Sequence, residues 1–423
     1  MFCVVFSVLY ARARHTYPKI PTNIDLIFWI TKENNPQNTY IISICDNSCE
    51  IEKNFLSLFI MRNSNTNSIV ATLDAGGTNF VFGAMREGKP IGKSITLPSQ
   101  AHDLDLCLKS LIDGFEQIFS SLDERPSAIS FAFPGPADYR NGIIGGYLPN
   151  FPSFRDGVAL GPMLEEHFGV PVFINNDADL FAYGEAAGGA LPRINSRLRA
   201  LGSDKQYRNL LGYTFGTGFG FGFVMDGKLN QGDNSCVETF CLKHRDMPQC
   251  IVEEGVSIRA VKRVYRELSG DERELEPRDI YLIAEGEMEG SCEAARESFA
   301  TLGRVAGDAM ATAVTLMDGI VVIGGGLTGA AKYFMPTLLE EMRAEIKTLS
   351  GDSLKRVQMQ VYNLDDEVEF KEFALGNSTK IKVYGSDREV SYNPVKKVGI
   401  TLSDIGASSA VSLGAYLYAI DNI

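Results

Sequence analysis

Two stretches of the chain share one pattern of apolar and polar positions, in which a strand, a short glycine-containing turn and a second strand follow one another. The first, IVATLDAGGTNFVFGAM, runs from Ile69 to Met85, and the second, LLGYTFGTGFGFGFVMDGK, runs from Leu210 to Lys228. Apolar residues that flank a glycine-rich turn on both sides are typical of β-hairpins. Two such hairpins in one chain indicate a pair of related units.

Helical and strand patterns alternate after each hairpin. The first hairpin is followed by a helical pattern at 103–122, a buried strand at 128–138 that ends in Pro-Gly-Pro, a helix at 161–169, and a strand and helix within 170–190. The second is followed by helices at 256–268 and 292–318, a strand and turn at 319–331, a helix at 333–346 and a small-residue helix at 404–420. This alternation predicts an α/β fold.

The repeated order of elements predicts two α/β lobes. We expect residues 61–187 together with 407–423 to form an N-terminal lobe, and residues 188–406 to form a C-terminal lobe with an insertion at about 349–397. Residues 1–60 show no sustained period and form an irregular N-terminal extension, although Met61 is an equally good start of translation.

Composition narrows the functional classes. The 423 residues carry a formal net charge of −13, which disfavours a generic nucleic-acid surface because phosphate binding relies on clustered Lys and Arg. The sequence contains no run of about 18 apolar residues, so no membrane span is predicted. Eight scattered cysteines in a chain of this size indicate free thiols in a reducing compartment, so a cytoplasmic protein is expected.

The turn of the first hairpin has the residues of a phosphate site. Gly76 and Gly77 allow their backbone amides to approach phosphate oxygens, and Thr78 adds a hydroxyl donor. Asp74, at the end of the strand, suits a hydrated Mg²⁺ ion that offsets the charge of a nucleotide. A tight turn without a ligand explains this motif alone equally well.

Two further glycine runs suggest a nucleotide site. Thr217 and Gly218, in the second hairpin, supply another hydroxyl and another amide, although a glycine kink in a twisted strand accounts for them too. Gly324, Gly325 and Gly326 follow a strand at the place where open α/β sheets bind ligands, and they would let an adenine ring lie against the backbone.

Asp177 stands where a strand gives way to a helix, in the sequence INNDADLF. A carboxylate in that position usually caps the helix. It also follows two asparagines that can bind vicinal hydroxyls. A carboxylate beside a sugar hydroxyl can accept its proton while that oxygen attacks a γ-phosphoryl group.

Five motifs occur together in the order and rough spacing of the ROK family of sugar kinases and repressors: LDAGGTNF, FAFPGPAD, INNDADLFAYGEA, TFGTGFGFGF and VVIGGGL. The chain resembles this family from about residue 69 to residue 420, and it is most similar to bacterial glucokinases and broad hexokinases. The resemblance implies an actin-like ATPase (RNase H-like) fold, with the active site in the cleft between two lobes.

The resemblance also implies a role for each matching residue. Asp177 matches the catalytic base. The residues that match substrate-binding positions are Asn150, Asn176, Glu238, Glu253 and Gly135, the last in the Pro-Gly-Pro loop. The segments at Asp74 to Thr78 and at Thr217-Gly218 match the two phosphate segments, so ATP and Mg²⁺ are the implied cofactors. A homodimer is a further expectation from the family.

The sequence departs from the family in the segment DNSCVETFCLKHRDMPQC. Relatives usually carry a histidine and a cysteine cluster here that bind structural zinc, whereas Cys236, Cys241, His244 and Cys250 have the spacing of no standard zinc site. Zinc is therefore not expected, and sugar selectivity does not transfer from zinc-containing relatives. Asn79 is a smaller departure, since a lysine often follows the family's threonine.

The leading hypothesis is an ATP-dependent hexose kinase that phosphorylates O6 of glucose, mannose or N-acetylglucosamine. A ROK-type repressor would bind sugar and DNA, yet residues 1–60 show neither a helix-turn-helix pattern nor a basic face. The third alternative is a sugar sensor without catalysis, which the presence of Asp177 disfavours. The expected partners are the hexose and ATP, without nucleic acid or membrane.

Overall fold

The structure, a computed structural model, describes residues 67–135, 137–376 and 378–423, together with the backbone of two short strands nearer the N-terminus. The chain divides into two units, residues 1–55 and 56–423. In the first unit, β1 (Phe28–Thr31) pairs antiparallel with β2 (Thr39–Ile42). The predicted irregular extension at 1–60 and the alternative start at Met61 otherwise lie outside the described residues.

Strands and helices alternate through the second unit. Its strands are β3 (Val70–Ala75), β4 (Asn79–Arg86), β5 (Lys89–Pro98), β6 (Ala128–Ala132), β7 (Ala137–Asp138), β8 (Ile143–Ile144), β9 (Val172–Asn175), β10 (Leu210–Phe215), β11 (Phe219–Met225), β12 (Lys228–Leu229), β13 (Ile320–Gly324), β14 (Glu345–Lys347), β15 (Ser353–Lys355), β16 (Gln360–Asn363), β17 (Thr379–Lys382), β18 (Glu389–Tyr392) and β19 (Lys397–Leu402). Its α-helices are α1 (Leu104–Ser121), α2 (Leu160–Phe168), α3 (Asp177–Ala187), α4 (Ala190–Ala200), α5 (Ile258–Ser269), α6 (Pro277–Glu285), α7 (Cys292–Met317), α8 (Ala331–Arg343), α9 (Glu367–Ala374) and α10 (Ala407–Asn422).

Five strands form the first main sheet, in the order β5-β4-β3-β6-β9. The predicted hairpin is confirmed, since β3 pairs antiparallel with β4 from Val70↔Met85 onward. On the other side of β3, the strands β6 and β9 run parallel to it. Helix α1 packs on this sheet through Phe115, a fully buried residue of its apolar stripe. The parallel part of the sheet therefore ends in a row of neighbouring C-terminal strand ends.

The second main sheet repeats this plan with six strands, in the order β12-β11-β10-β13-β19-β16. Here β10 pairs antiparallel with β11, and β13, β19 and β16 follow as parallel strands. The predicted insertion at 349–397 needs a correction. It contains β16, whose Val361 and Tyr362 are buried, so part of this segment belongs to the main sheet.

The same segment contains α9, whose Phe370 and Phe373 are buried in the core. Two hairpins, β14 with β15 and β17 with β18, form separate two-stranded sheets whose residues are all exposed. Exposed strands with polar residues on at least one face give little apolar periodicity. For this reason the sequence pattern did not separate them from the buried strand that lies between them.

Two helices lie between the main sheets and pack on each other. Helix α10 covers β3, β6 and β9, while α3 packs on β10 and β11. At their crossing, Gly184 faces the carbonyl of Ala410, and Gly414 faces the carbonyl of Leu180. The hydroxyl of Tyr416, on α10, accepts a hydrogen bond of 2.9 Å from the amide of Glu87. This bond joins the last helix to the turn between β4 and β5 of the first sheet.

Glycines of the second sheet make the close approach of α3 feasible. A β-carbon at Gly212 would lie 2.7 Å from that of Ala182, and one at Gly220 would lie 2.9 Å from that of Ala178. The start of α3, which carries Asp177, is therefore fixed against the hairpin of the second sheet. None of the described helices is long and apolar enough to cross a membrane.

Candidate active site

The candidate site begins at the C-terminal ends of three neighbouring parallel strands. Asp74 on β3 lies opposite Ala132 on β6, and Ala132 lies opposite Asn175, the last residue of β9. The carboxyl edge of a parallel sheet is the usual place for a ligand in α/β folds. Asp177 follows as the first residue of α3, so strand register brings the two predicted aspartates to the same edge.

The helix cap at this junction is Asn176, since its Oδ1 accepts a 2.8 Å hydrogen bond from the amide of Ala178. The capping alternative considered for Asp177 therefore applies to its neighbour. Asp177 Oδ1 also lies 2.8 Å from the same amide. The side-chain oxygen of Asn176 is engaged in the cap, and the same side chain also hydrogen-bonds to Tyr139.

Burial and charge both act on the carboxylate of Asp177. It opens onto solvent on one side, but protein surrounds it closely enough that desolvation raises its pKa above the ordinary value for an aspartate. The amide of Ala178 opposes this shift, and the charge of Asp74 adds to it. A carboxylate with a raised pKa is a better proton acceptor than an ordinary aspartate.

The first turn has the geometry of a small cradle. A β-carbon at Gly77 would lie 3.2 Å from that of Asn150, so the structure brings this predicted sugar ligand against the predicted phosphate segment. Gly77 and Thr78 are exposed. The amide of Gly76 donates to the carbonyl of Asn79 at 3.1 Å, so Gly76 shapes the turn and its amide is not free for phosphate.

Glu253 supports the second turn. Its Oε2 accepts a 3.0 Å hydrogen bond from the amide of Phe219, and its Oε1 accepts one of 2.8 Å from Arg259. A β-carbon at Gly218 would lie 2.6 Å from Oε2, so only glycine leaves room for this carboxylate. The predicted sugar ligand Glu253 is thus bound to the predicted phosphate loop, while Thr217 is exposed beside it.

The third glycine run lies next to this second turn. Gly325 has a φ of +101° and packs against the backbone of Phe215, the last residue of β10. A side chain at this position would be strained and would also overlap that backbone. Gly324 is buried against Phe181, and Gly326 is exposed. Two of the predicted nucleotide segments are therefore neighbours.

Carboxylates accumulate around Asp177. Burial raises the pKa of Asp179 to about 7, with a smaller contribution from the charge of Asp177, while a hydrogen bond from Gln231 lowers it. Burial also raises the pKa of Glu238 to about 8, and the charges of Asp179, Asp177 and Glu253 add to this shift. Perturbed groups that converge in this way are typical of functional sites.

Tyr139 belongs to the same cluster. Its hydroxyl donates to the carbonyl of Phe133 at 2.9 Å, and burial raises its pKa, with the charge of Asp179 adding to the shift. A β-carbon at Gly135 would lie 2.8 Å from this hydroxyl. Gly135, predicted as a substrate-binding residue, therefore provides space for Tyr139.

Sequence reasoning missed Asp179, Gln231 and Tyr139. Asp179 and Tyr139 had a weak signal, since Asp179 lies inside the motif INNDADLF and Tyr139 directly follows FAFPGPAD. Gln231 had none, because it follows a strand of only two residues.

Hydrogen bonds hold the Cys/His segment together. Nδ1 of His244 accepts hydrogen bonds from the amides of Asp246 and Met247, at 3.1 and 3.2 Å. The thiol of Cys236 donates to a backbone carbonyl. Over residues 67–135, 137–376 and 378–423, no group of three or more His, Cys, Asp or Glu side chains has the arrangement of a metal site.

Comparison with known proteins identifies the family. The ROK family model matches residues 70–365. The chain belongs to the ROK family. A crystal structure of a glucokinase from Parabacteroides distasonis is 54% identical, with a TM-score of 0.79 over 85% of this chain and 99% of that one.

Other ROK relatives are more distant. A glucokinase from Thermotoga maritima is 26% identical over 64% of this chain and 86% of its own length. An N-acetyl-D-glucosamine kinase from Aliivibrio salmonicida is 32% identical over 38% of this chain, and the match spans 47% of that kinase. ROK hexokinase from Thermus thermophilus, at 21% identity and a TM-score of 0.57, shares the fold.

These findings confirm three predictions. The protein is a ROK family member, it has the α/β fold of that family, and it is a sugar kinase. The roles of individual residues and the boundaries of the lobes remain predictions.

Proposed function

We propose that the protein is an ATP-dependent hexose kinase that transfers the γ-phosphoryl group to O6 of glucose, or of the related hexoses mannose and N-acetylglucosamine. One observation carries the proposal. Asp177, a carboxylate with a raised pKa, lies at the carboxyl edge of the first sheet, in the same row of strand ends as Asp74 and beside the glycine turn.

Asp177 acts as the general base in this proposal. Its carboxylate accepts the proton of the sugar O6 hydroxyl while O6 forms a bond to the γ-phosphorus. The bond between that phosphorus and the bridging oxygen breaks, and ADP leaves with the electron pair. Asn150 and Asn176 hold the sugar in this proposal, which limits its motion relative to the base.

The phosphate chain would lie between the two hairpin turns. Thr78 and the amide of Gly77 face it from the first sheet, and Thr217 faces it from the second. Asp74, exposed at the end of β3, offers the hard oxygen that Mg²⁺ prefers, directly or through water. Bound Mg²⁺ would offset the negative charge of the phosphates.

The relatives support this substrate class. The names glucokinase and N-acetyl-D-glucosamine kinase occur among the similar proteins, and the glucokinase from Parabacteroides distasonis is 54% identical to this chain. Likeness to a ROK transcriptional regulator, at 18% identity and a TM-score of 0.57, extends to the fold alone. A cytoplasmic role early in glycolysis and a homodimer belong to the same proposal.

The test is ADP release from MgATP in the presence of glucose, mannose, fructose, N-acetylglucosamine or N-acetylmannosamine. We expect one of the first two hexoses or N-acetylglucosamine to stimulate turnover, and proton–phosphorus NMR of the product to place phosphate on O6. Phosphate on another oxygen would contradict the assigned position. Sugar binding without turnover would contradict the kinase and favour a sensor, and specific DNA binding by the full chain would then favour a repressor.

A further inference from the structure

Gln231 makes two hydrogen bonds with one nitrogen atom. Its Nε2 lies 3.0 Å from Oδ1 of Asn175 and 3.1 Å from Oδ2 of Asp179. A glutamine amide has two N–H donors. Each of them has an acceptor here, so the donor capacity of the side chain is fully used.

The two acceptors lie on either side of Asp177 in the chain. Asn175 ends β9, two residues before Asp177, and Asp179 lies in the first turn of α3, two residues after it. Both side chains are buried, at 1% and 7% exposure. Gln231 follows β12 of the second sheet, so it joins that sheet to the end of the first one.

We propose that Gln231 is a positioning residue, which holds the strand–helix junction from both sides and thereby fixes the direction of the Asp177 carboxylate. This inference rests on the proposed kinase activity. Asn176 already fixes the helix start from within the junction, through the amide of Ala178. Gln231 adds a polar contact from the opposite sheet to the packing of Gly220 against Ala178, and this contact holds a side chain on either side of Asp177.

A neutral donor suits this position better than any charged residue. The groups that face Asp179 are Asp177 on the same helix, Glu238 on the loop after β12, Tyr139 on the turn after β7, and Tyr418 on α10. Two of these are carboxylates. A glutamate at position 231 would add a third carboxylate, and its oxygens would face the acceptor oxygens of Asn175 and Asp179. The amide of glutamine donates to both of these oxygens and adds no charge.

The donor and acceptor roles of Gln231 and Asp179 can be exchanged by mutation, and this exchange tests the proposal. Gln231→Glu removes the donor, and Asp179→Asn supplies one on the other side. Asn175 can complete the reversal by turning its amide, because its Nδ2 has no hydrogen-bond partner among the residues described. The matched control is Gln206→Glu, the same change at a glutamine that contacts Arg199 and Lys205 instead.

The experiment measures kcat, the KM for sugar and the Kd for a nonhydrolysable ATP analogue from about pH 6 to pH 8.5. Gln231→Glu is expected to lower kcat at least about tenfold at neutral pH, with an unchanged nucleotide Kd. The loss in kcat should become smaller toward pH 6, where the new carboxyl group takes up a proton and becomes a hydrogen-bond donor. The double variant Asp179→Asn with Gln231→Glu should recover to within about threefold of Asp179→Asn alone.

Three outcomes overturn the inference: Gln231→Glu and Gln206→Glu behave alike, the loss in kcat is independent of pH, or the double variant is no better than Gln231→Glu. Melting temperatures of all variants show whether each one folds, and the double variant supplies the comparison if Gln231→Glu does not. A wild type that phosphorylates no sugar contradicts the proposed function itself. An active wild type with an equally active Gln231→Glu variant contradicts this inference alone.

Discussion

The carboxyl group of Glu238 is held in surroundings that oppose its charge. It is partly buried, it faces Asp179 and Asp177, and its pKa is raised to about 8. In an unfolded chain the pKa of a glutamate is about 4.3. Between these two values the native state binds more protons than the unfolded state, so this group lowers stability as the pH rises from about 4 through 8.

Glu238→Gln should therefore stabilise the protein in alkaline solution. We expect the variant to melt a few degrees above the wild type at about pH 8.5, which corresponds to about 1–3 kcal/mol, and close to the wild type at about pH 5. Differential scanning calorimetry at both pH values measures this. Glu287→Gln, at an exposed position, is the control. Equal changes in melting temperature at the two pH values would show that the pKa of Glu238 is not raised in this way.

Substitution of Gly218 tests whether Glu253 shapes the second turn. Gly218→Ala would push a methyl group against the carboxylate of Glu253 and displace the loop at Thr217. We expect the KM for ATP to rise about tenfold or more, because misplaced donors lose their hydrogen bonds to phosphate. Gly216→Ala is the comparison within the loop, since a methyl group there meets nothing within 4 Å and its effect should be smaller. Similar KM values for the two variants would contradict a role of Glu253 in shaping the loop.

For individual residues, the sequence predicted position better than it predicted hydrogen-bond partners. Asp74 and Asp177 lie at one edge of the first sheet, and Asn150 lies against the first glycine turn, because motif and strand register determine position. The detailed hydrogen bonds depend on tertiary neighbours. Glu253 binds Arg259 and a loop amide, which nothing in its own motif indicates.

Among the elements, helices α3 and α10 determine how the two sheets are held. Their backbones touch at Gly184 and Gly414, where a side chain would overlap a carbonyl group of the other helix. Both helices are buried over most of their length, as expected for helices that lie between two layers. Because α3 carries Asp177, a shift in this crossing would move the carboxylate that we propose as the base.

Gly414→Ala should be strongly destabilising, although alanine normally favours helices. Separating the two backbones would cost about 3 kcal/mol or more, because the contact involves backbone atoms that cannot rotate away. We expect a melting temperature at least several degrees lower and a fall in kcat. Gly329→Ala, which meets open space, is the matched control. A variant at position 414 as stable as this control would contradict the close helix crossing.

The elements themselves were largely predictable, since α1, α7 and both hairpins follow strong periods. The sequence failed at β16, a strand of four residues between exposed hairpins. Short strands leave too few positions to show a period, and pairing with β19 supplies what the local pattern lacks.

The whole molecule places two sheets of one plan on either side of a helix pair. Each sheet contributes one glycine turn, and Asp177 stands at the end of the first sheet while α3 fixes it against the second. Such an arrangement suits transfer between two bound substrates, because approach of the sheets would align the reacting atoms and exclude water. An acidic chain of net charge −13 would then bind its nucleotide through local donors and a metal ion.

The central claim is that Asp177 is the base of sugar phosphorylation. Its most direct test compares kcat for the best hexose between the wild type and Asp177→Asn, with sugar and nucleotide affinities measured by calorimetry on the same samples. Asp105→Asn, in the exposed first turn of α1, is the control. We expect Asp177→Asn to lower kcat by about 10²–10⁴-fold while both affinities change by less than about threefold. A kcat within about threefold of the wild type would contradict the claim.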